Sequence, residues 1–571
     1  MSQAKSKLVC GIDYGTTGTA AAWGYGTDEQ SIDSPIYQVD EWPVQSRAKL
    51  PSTMQYPSGM QPRWGVEATP ELETFRWTKL LLDPDLESTD FRDEELERVS
   101  GQRIMRLPAG KSAVRVVADY LSGIRNHLEQ SYIFSQPNIK KAYWFSIPAG
   151  WSNDAQVRMS EAIHLAGFGQ KPNEEVCLVT ESEASAISIL GASGERRKSG
   201  STFCVCDVGG GTVDIACYMI TDVTATSYSL TELSSAIGPK SGSTIIDREF
   251  LKLMRHRFNA SFINPFNDDN SDRRERLMNE FKKRKEEFTG DGSNHRLRFR
   301  MECFTSQWYD STAGHIILSD SDMRAFFDTV VGQVFHHVNE QVDKATRGHF
   351  KIDELLMTGG LMRSKFAREA FSEGFKDAGF SRIFQDLVFR STVSFRGFEA
   401  ELSASLGAAR KGLSGIVTKN QTCNKSYFIE CSGLREEPGI CLQAFIDELD
   451  APAKPQQILV KGHVYEEDRP YKTVFHLYSR PGEPPVKTFF LKMSDGQNSR
   501  VLARLTCNLS DIPADERALQ PAAAGGVYSH QCISVTATFR VKGYLEIKVH
   551  TKCKVLAQKM VPRIWSERAG N

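Results

Sequence analysis

Long apolar runs, paired cysteines and net charge are all missing from this chain. No stretch approaches the ~18 consecutive apolar residues needed to span a bilayer, so no membrane span is expected. Met1 to Lys7 is polar and the apolar segment after it stops at Asp13, which leaves no legible signal peptide. The twelve cysteines are scattered and never form a Cys-x-x-Cys pair. That spacing favours a reduced cytoplasmic setting over a disulfide framework, with the nucleus also open. Lys+Arg 70 against Asp+Glu 71 leaves a formal charge of −1, so net charge points to neither a nucleic-acid nor an anionic-membrane partner. No heptad array or low-complexity tract is present.

What is there is length and two glycine-rich turns. At 571 residues the chain is too long for one core and should hold two or more domains. Asp13-Tyr14-Gly15-Thr16-Thr17 follows the apolar run Leu8 to Ile12, and Asp207-Val208-Gly209-Gly210-Gly211-Thr212 follows Phe203 to Cys206. An apolar run ending in such a turn reads as a buried strand entering a tight loop. Glycine lets the backbone approach a polyanion, threonine adds hydroxyl and amide donors, and the strand-end aspartate can hold hydrated Mg²⁺. Two such segments predict two similar half-domains closing on one nucleotide.

The rest of the chain supplies the elements between them. Ala20 to Trp23 is a return strand, and Leu50 to Met54 starts another. Val114, Val117, Tyr120, Leu121 and Ile124 recur at helical spacing within 109–129. Ala142 to Ile147 is a strand stopped by Pro148, and Asn153-Asp154 caps a helix running to Gly167. Val176 to Val179 is a strand leading into a small-residue helix from Ser182 to Leu190. After a polar linker over 193–200 the strand–turn–strand pattern starts again at Thr202, with Cys204 and Cys206 as small core residues. Leu277, Phe281 and Phe288 mark one side of a charged helix over 272–288, and Glu354 to Gly360 is a strand entering a glycine turn. A small-residue helix covers 399–412. Beyond Leu413 the pattern becomes strand-like: Thr473 to Tyr478, then a period-2 hairpin through Ile533, Val535 and Ala537, turning at Gly543 into Leu545, Ile547 and Val549. Residues 451–456 and 521–526 read as loops.

In order over residues 7 to 413, these landmarks resemble the nucleotide-binding domain of the heat shock protein 70 family, within the actin, hexokinase and heat-shock ATPase superfamily. The resemblance rests on Gly11 to Thr17, Ile147-Pro148-Ala149, Thr180-Glu181-Ser182-Glu183-Ala184, Asp207 to Asp214, and Thr358-Gly359-Gly360 with Arg363. Past residue 413 there is no leucine-rich acidic linker, no long helical lid and no acidic tail at Ser566 to Asn571. The chain therefore resembles the divergent 12A/12B-type or fungal heat-shock-70-like branch. This implies an α/β fold: a two-lobed actin-like ATPase domain of duplicated ribonuclease-H-like halves over 1–415, split near 200, and a β-rich module over 416–571.

The same resemblance implies ATP or ADP with Mg²⁺ as cofactors and a protein or peptide partner. Gly15, Thr16, Thr17, Gly209, Gly210, Gly211 and Thr212 would cradle the phosphates. Asp13 and Asp207 would hold Mg²⁺ through its waters, while Glu181 and Asp214 orient attacking water. Lys79 would stand near the γ-phosphate. Lys285, Gly359, Gly360 and Arg363 would border the adenosine, with Gly238 and Gly242 at the nucleoside pocket; lysine would serve poorly in the stacking role of Arg363. The chain departs from the family pattern where Ser182 stands for a proline, where Glu286 stands for an arginine, and at Trp151 with the extra residue after Pro148, which displaces Arg158 by one position. Slow ATP hydrolysis coupled to partner binding is the leading expectation. A nucleotide-gated scaffold with little hydrolysis and a small-molecule kinase remain the alternatives, the last requiring an aspartate base at a substrate hydroxyl.

Overall fold

The strand Lys7–Tyr14 is buried along almost its whole length, as a strand covered on both faces must be, and its sequence reads accordingly as a continuous apolar run. In this computed structural model it pairs antiparallel with Gly18–Gly26 on one side and parallel with Lys140–Ile147 on the other. Glu174–Thr180 adds a further parallel strand beyond Lys140–Ile147, and Tyr37–Gln38 and Leu50–Pro51 both pair with Gly18–Gly26. The structure describes residues 7–562 apart from 27–30, 40, 43–48, 70–71, 84–102, 137, 193–196, 235, 240, 264–270, 377, 381, 385–399, 415, 423–425, 432–433, 436–455, 460–463, 467–469, 480–483, 495–498, 513–516, 522–526, 541–543 and 552–553. The core of the expected linker, the turn at Gly543 and the terminal residues 566–571 lie outside the described residues.

A second sheet repeats the plan. Thr202–Val208 pairs antiparallel with Val213–Val223 and parallel with Glu354–Thr358. Tyr228–Glu232 extends one side and Arg382–Phe384 the other. Cys204 and Cys206 are fully buried in it as small core residues. In both sheets the aspartate is the penultimate residue of the central strand. Asp13 lies opposite Ala20 and Ser146, and Asp207 opposite Asp214 and Thr358.

Helices Glu181–Ala192 and Ser403–Ser414 explain the small-residue stretches. A Cβ on Gly407 would lie 1.6 Å from the Ala184 carbonyl oxygen, and one on Gly11 would lie 2.2 Å from that of Ser405. Backbone packs on backbone there, and any side chain would force the elements apart. The helix Ala113–Gln130 is capped by Ser112, whose hydroxyl accepts from the Arg115 amide. The helix Asn153–Leu165 begins where expected, but its cap is Ser152. Ser152 has the extended backbone a cap requires, whereas Asn153 is already helical. On Ser271–Glu287, Leu277 and Phe281 are buried, and the Phe281 ring stacks 3.9 Å from that of Phe250.

The chain divides into one compact unit ending at Ile416 and a second over Val417–Ile564. Among the described residues the second unit consists of strands and one short 3-10 turn at Leu509–Asp511. One antiparallel sheet runs Gln456–Leu459, Ser426–Glu430, Val486–Ser494, Ser499–Asn508; another runs Leu434–Arg435, Pro470–Ser479, Val527–Arg540, Tyr544–His550, Val555–Pro562. Their buried residues form one apolar cluster, including Phe475, Phe489, Ile533, Val535, Ile547 and Val549. Of the two expected loops, Gln456 opens a strand and Pro521 closes one, and the other residues lie outside the described ones. No helix among the described residues is long and apolar enough to cross a membrane.

Candidate functional site

The two glycine-rich turns face each other. A Cβ on Gly210 would lie 2.7 Å from Thr17 Oγ1, and one on Gly211 would lie 2.6 Å from Thr16 Oγ1. Each turn is braced from behind. Ser52 Oγ donates to the Gly15 carbonyl at 2.7 Å, and the Ser52 amide to the Thr17 carbonyl at 3.2 Å. In the second turn the carbonyls of Gly209, Gly210 and Gly211 accept from the amides of Ser243, Thr244 and Gly242 at 2.9, 2.9 and 3.3 Å. With those acceptors engaged, what this loop brings to a ligand is donors, the polarity a polyphosphate needs.

Between the turns lies a cleft of about 850 Å³, within the size range of small-molecule sites. Its wall includes Asp13, Gly15, Thr16, Thr17, Lys79, Glu181, Asp207, Gly209 to Thr212, Lys285, Gly359, Gly360 and Arg363. Asp214 is one proposed site residue that the structure does not bring to that wall. It sits buried beneath it, with Oδ1 accepting from the Ala149 amide at 2.6 Å. Gly238 and Gly242 also fall off the wall. A Cβ on Gly238 would meet the Gly150 amide nitrogen at 2.6 Å, and Gly242 backs onto the second glycine loop. At both positions the missing side chain permits close backbone packing.

Electrostatically the two strand-end aspartates differ. Burial works against ionisation of Asp13, but Lys49 and Lys79 outweigh it and hold its carboxyl below the ordinary value. Lys49 Nζ lies 3.1 Å from Asp13 Oδ2, and Ser146 Oγ donates to Oδ1 at 2.9 Å. Asp207 accepts from Ser185 Oγ at 2.6 Å. Burial, then the carboxylates of Glu181 and Asp13, nevertheless push it up to about 7. Asp214 is likewise raised well above its ordinary value by burial and by Glu181, and its Oδ2 has no hydrogen-bond partner among the described residues. Glu181 itself forms a buried ion pair with Lys79, whose ammonium also lies 5.5 Å from the centre of the Trp151 ring.

At the other end of the cleft Lys285 Nζ pairs with Asp247 at 2.7 Å. Arg363 reaches Glu286 at 3.5 Å and Glu401 at 3.4 Å, with its side chain 46% exposed. Glu286, the acidic residue at a position where the resemblance leads one to expect arginine, is thus a partner of Arg363. Gly359 has φ +94°, and a Cβ there would stand 2.5 Å from Asp207 Oδ1, so this glycine is required twice over.

Four polar residues went unread in the sequence: Lys49, Ser146, Ser185 and Asp247. Ser146 had a signal, since a serine inside the apolar run Ala142 to Ile147 asks what its hydroxyl meets. Lys49 had little, standing in a polar stretch two residues before Pro51.

An all-oxygen set of buried carboxylates, one raised to about 7 and one with an orphaned oxygen, is what a hard divalent cation such as Mg²⁺ would relieve. The donor chemistry therefore fits that ion.

None of the protein-family models matches the chain. Among curated proteins it is 23% identical to heat shock 70 kDa protein 12A of Mus musculus, over 53% of this chain and 49% of the relative. It is 24% identical to heat shock 70 kDa protein 12B of Homo sapiens, over 46% of this chain and 47% of the relative. The human 12A protein is 22% identical over 49% and 46% of the two chains. The chain spans about half the length of the curated relatives it matches. Its mixed α/β structure with several sheets is consistent with an actin-like ATPase fold, and the chain is a divergent relative of the heat shock 70 kDa protein 12 proteins.

Proposed function

We propose that this protein binds ATP, hydrolyses it slowly, and couples its nucleotide state to a protein or peptide partner, as a heat-shock-70-like ATPase. The observation that carries the reading is the convergence of Thr16 and Thr17 with Gly210 and Gly211 on one cleft floored by carboxylates. The repeated sheet plan around Asp13 and Asp207 supports a two-lobed actin-like domain. The compact unit ending at Ile416 supports a domain boundary there, with the strands after it as a β-rich module for the partner.

In this reading the loop amides and the threonine hydroxyls donate to the β- and γ-phosphates. Asp13 and Asp207 would hold Mg²⁺, which when bound would neutralise charge on the phosphates. Lys79 swings from Glu181 to the γ-phosphate, which frees the Glu181 carboxylate. Glu181, with Asp214 beneath it, then orients the attacking water and takes its proton. Lys285 and Arg363 border the nucleoside.

The ion pairs of Lys79 with Glu181 and of Lys49 with Asp13 favour a second reading, a nucleotide-gated scaffold with little hydrolysis. Each pair neutralises a group that the reaction needs charged and free. Calorimetry with Mg²⁺-ATP beside single-turnover phosphate release separates the two. The ATPase reading expects release at least about 100-fold faster than in Asp13→Asn/Asp207→Asn. Binding without such a difference leaves the scaffold, and no binding removes both.

A further inference from the structure

Lys49 is the cation that no reading of the sequence assigned. Its ammonium stands 3.1 Å from Asp13 Oδ2 and 3.3 Å from the Glu401 carbonyl oxygen. It also lies 3.7 Å from the position a Cβ on Gly15 would take, which puts it beside the first glycine loop. Its side chain is 24% exposed and lines the cleft, whereas Lys79 is 2% exposed and held by Glu181. Lys49 therefore has both the position and the access to meet an anion cradled by Gly15 to Thr17. The cleft wall carries six acidic and six basic side chains, so bringing in a polyphosphate makes the site strongly negative unless cations accompany it.

We propose that Lys49 is a tethered cation of the phosphate subsite, shared between Asp13 and the polyphosphate, which sustains nucleotide binding when divalent metal is absent. This rests on the nucleotide-binding reading above and adds to it: the site holds ATP with a weak dependence on Mg²⁺. An ammonium fixed beside a phosphate supplies part of the neutralisation that a free ion would otherwise bring, without the entropy of recruiting one. The competing role, a pin that orients Asp13 toward the metal, makes the opposite prediction. Removing a pin weakens the metal-dependent mode and leaves the metal-free mode alone.

The experiment is calorimetric titration of the full chain with ATP, once in Mg²⁺ and once in EDTA, read as the ratio of the two dissociation constants. For the wild type the EDTA value is expected to be no more than about tenfold weaker. Lys49→Met should raise that ratio by a further tenfold or so, and Lys49→Arg should return it toward the wild-type value, because the charge is what matters. A ratio unchanged or lowered in Lys49→Met overturns the proposal in favour of the pin. Wild-type binding in Mg²⁺ but none in EDTA overturns it without any variant and leaves the nucleotide reading intact. No ATP binding in either buffer overturns the nucleotide reading itself, and the role of Lys49 with it.

Discussion

Asp13 and Asp207 occupy the same place in two similarly built sheets, yet one carboxyl is held ionised and the other is pushed toward its neutral form. Each is the penultimate residue of a central strand, flanked by an antiparallel return strand and a parallel neighbour. Each accepts from a serine hydroxyl, Ser146 or Ser185. The difference comes from outside the repeated plan. Lys49 reaches Asp13 from the polar stretch before Pro51, while Asp207 faces Glu181 and Asp13 with no cation hydrogen-bonded to it among the described residues. Strand order thus decides where a carboxylate stands, and side chains delivered by other segments decide its charge. A site with one carboxylate ready and one protonated near neutral pH is poised to be completed by a cation.

The largest effect that can break this comparison is expected at Lys79. Its ion pair with Glu181 is buried, with side-chain exposures of 2% and 11%. It is also what keeps Glu181 from adding an uncompensated charge beside Asp207 and Asp214. Lys79→Met should destabilise the ligand-free protein by about 3–5 kcal/mol, the cost of leaving a buried charge without its partner. Chemical denaturation at pH 8 in EDTA measures it, and adding Glu181→Gln should recover more than half of the loss. A cost below about 1 kcal/mol would mean that the carboxylate cluster is balanced in some other way.

Much of this arrangement was legible in the sequence, and the part that was not has a physical reason. Both aspartate turns, their return strands and the strand into Gly359 could be read because each couples a local hydrophobic period to a glycine the backbone requires. The small-residue helix over 403–414 could be read as closely packed, but not that Gly407 would meet Ala184 and Gly11 would meet Ser405. Lys49 escaped because its partner is 36 residues away in sequence and nothing local demands a lysine there. Glu286 stood out as a departure, but its pairing with Arg363 is a tertiary fact. The capping residue moved from Asn153 to Ser152 because a cap is defined by one residue's backbone angles, which periodicity does not fix to within a position.

Opposite pH dependences at the two aspartates sharpen the comparison next. The Asp13 carboxyl is depressed in the folded state, so its contribution to stability is present above the ordinary value of 3.8 and lost as pH falls through the folded value. Asp207 is raised to about 7, so the folded protein keeps a proton that the unfolded chain has released between about pH 4 and pH 7. Over that window this group makes the ligand-free fold less stable as pH rises. In EDTA at pH 8, Asp13→Asn should therefore lower the unfolding free energy and Asp207→Asn should raise it, the latter by on the order of 2 kcal/mol. At pH 4 the gain from Asp207→Asn should vanish. Two variants that shift stability in the same direction at pH 8 would contradict the assignment of opposite charge states.

The smallest effect separates the two serines. Ser146→Ala and Ser185→Ala each remove one hydroxyl donated to an aspartate, at 2.9 and 2.6 Å, and each should cost about 1–2 kcal/mol when the acceptor is ionised. Asp13 retains Lys49 as a second donor, so Ser146→Ala should cost a similar amount at every pH above about 5, where the carboxylate persists. Asp207 has no such substitute. Ser185→Ala should drive its proton affinity higher still, so that the carboxyl stays neutral through pH 7 and the cost grows only above it. Unfolding free energies of both variants at pH 6 and pH 9 test this. A flat cost for Ser146→Ala beside a rising one for Ser185→Ala is the expected pair, and parallel profiles would show that Lys49 gives Asp13 no protection the second aspartate lacks.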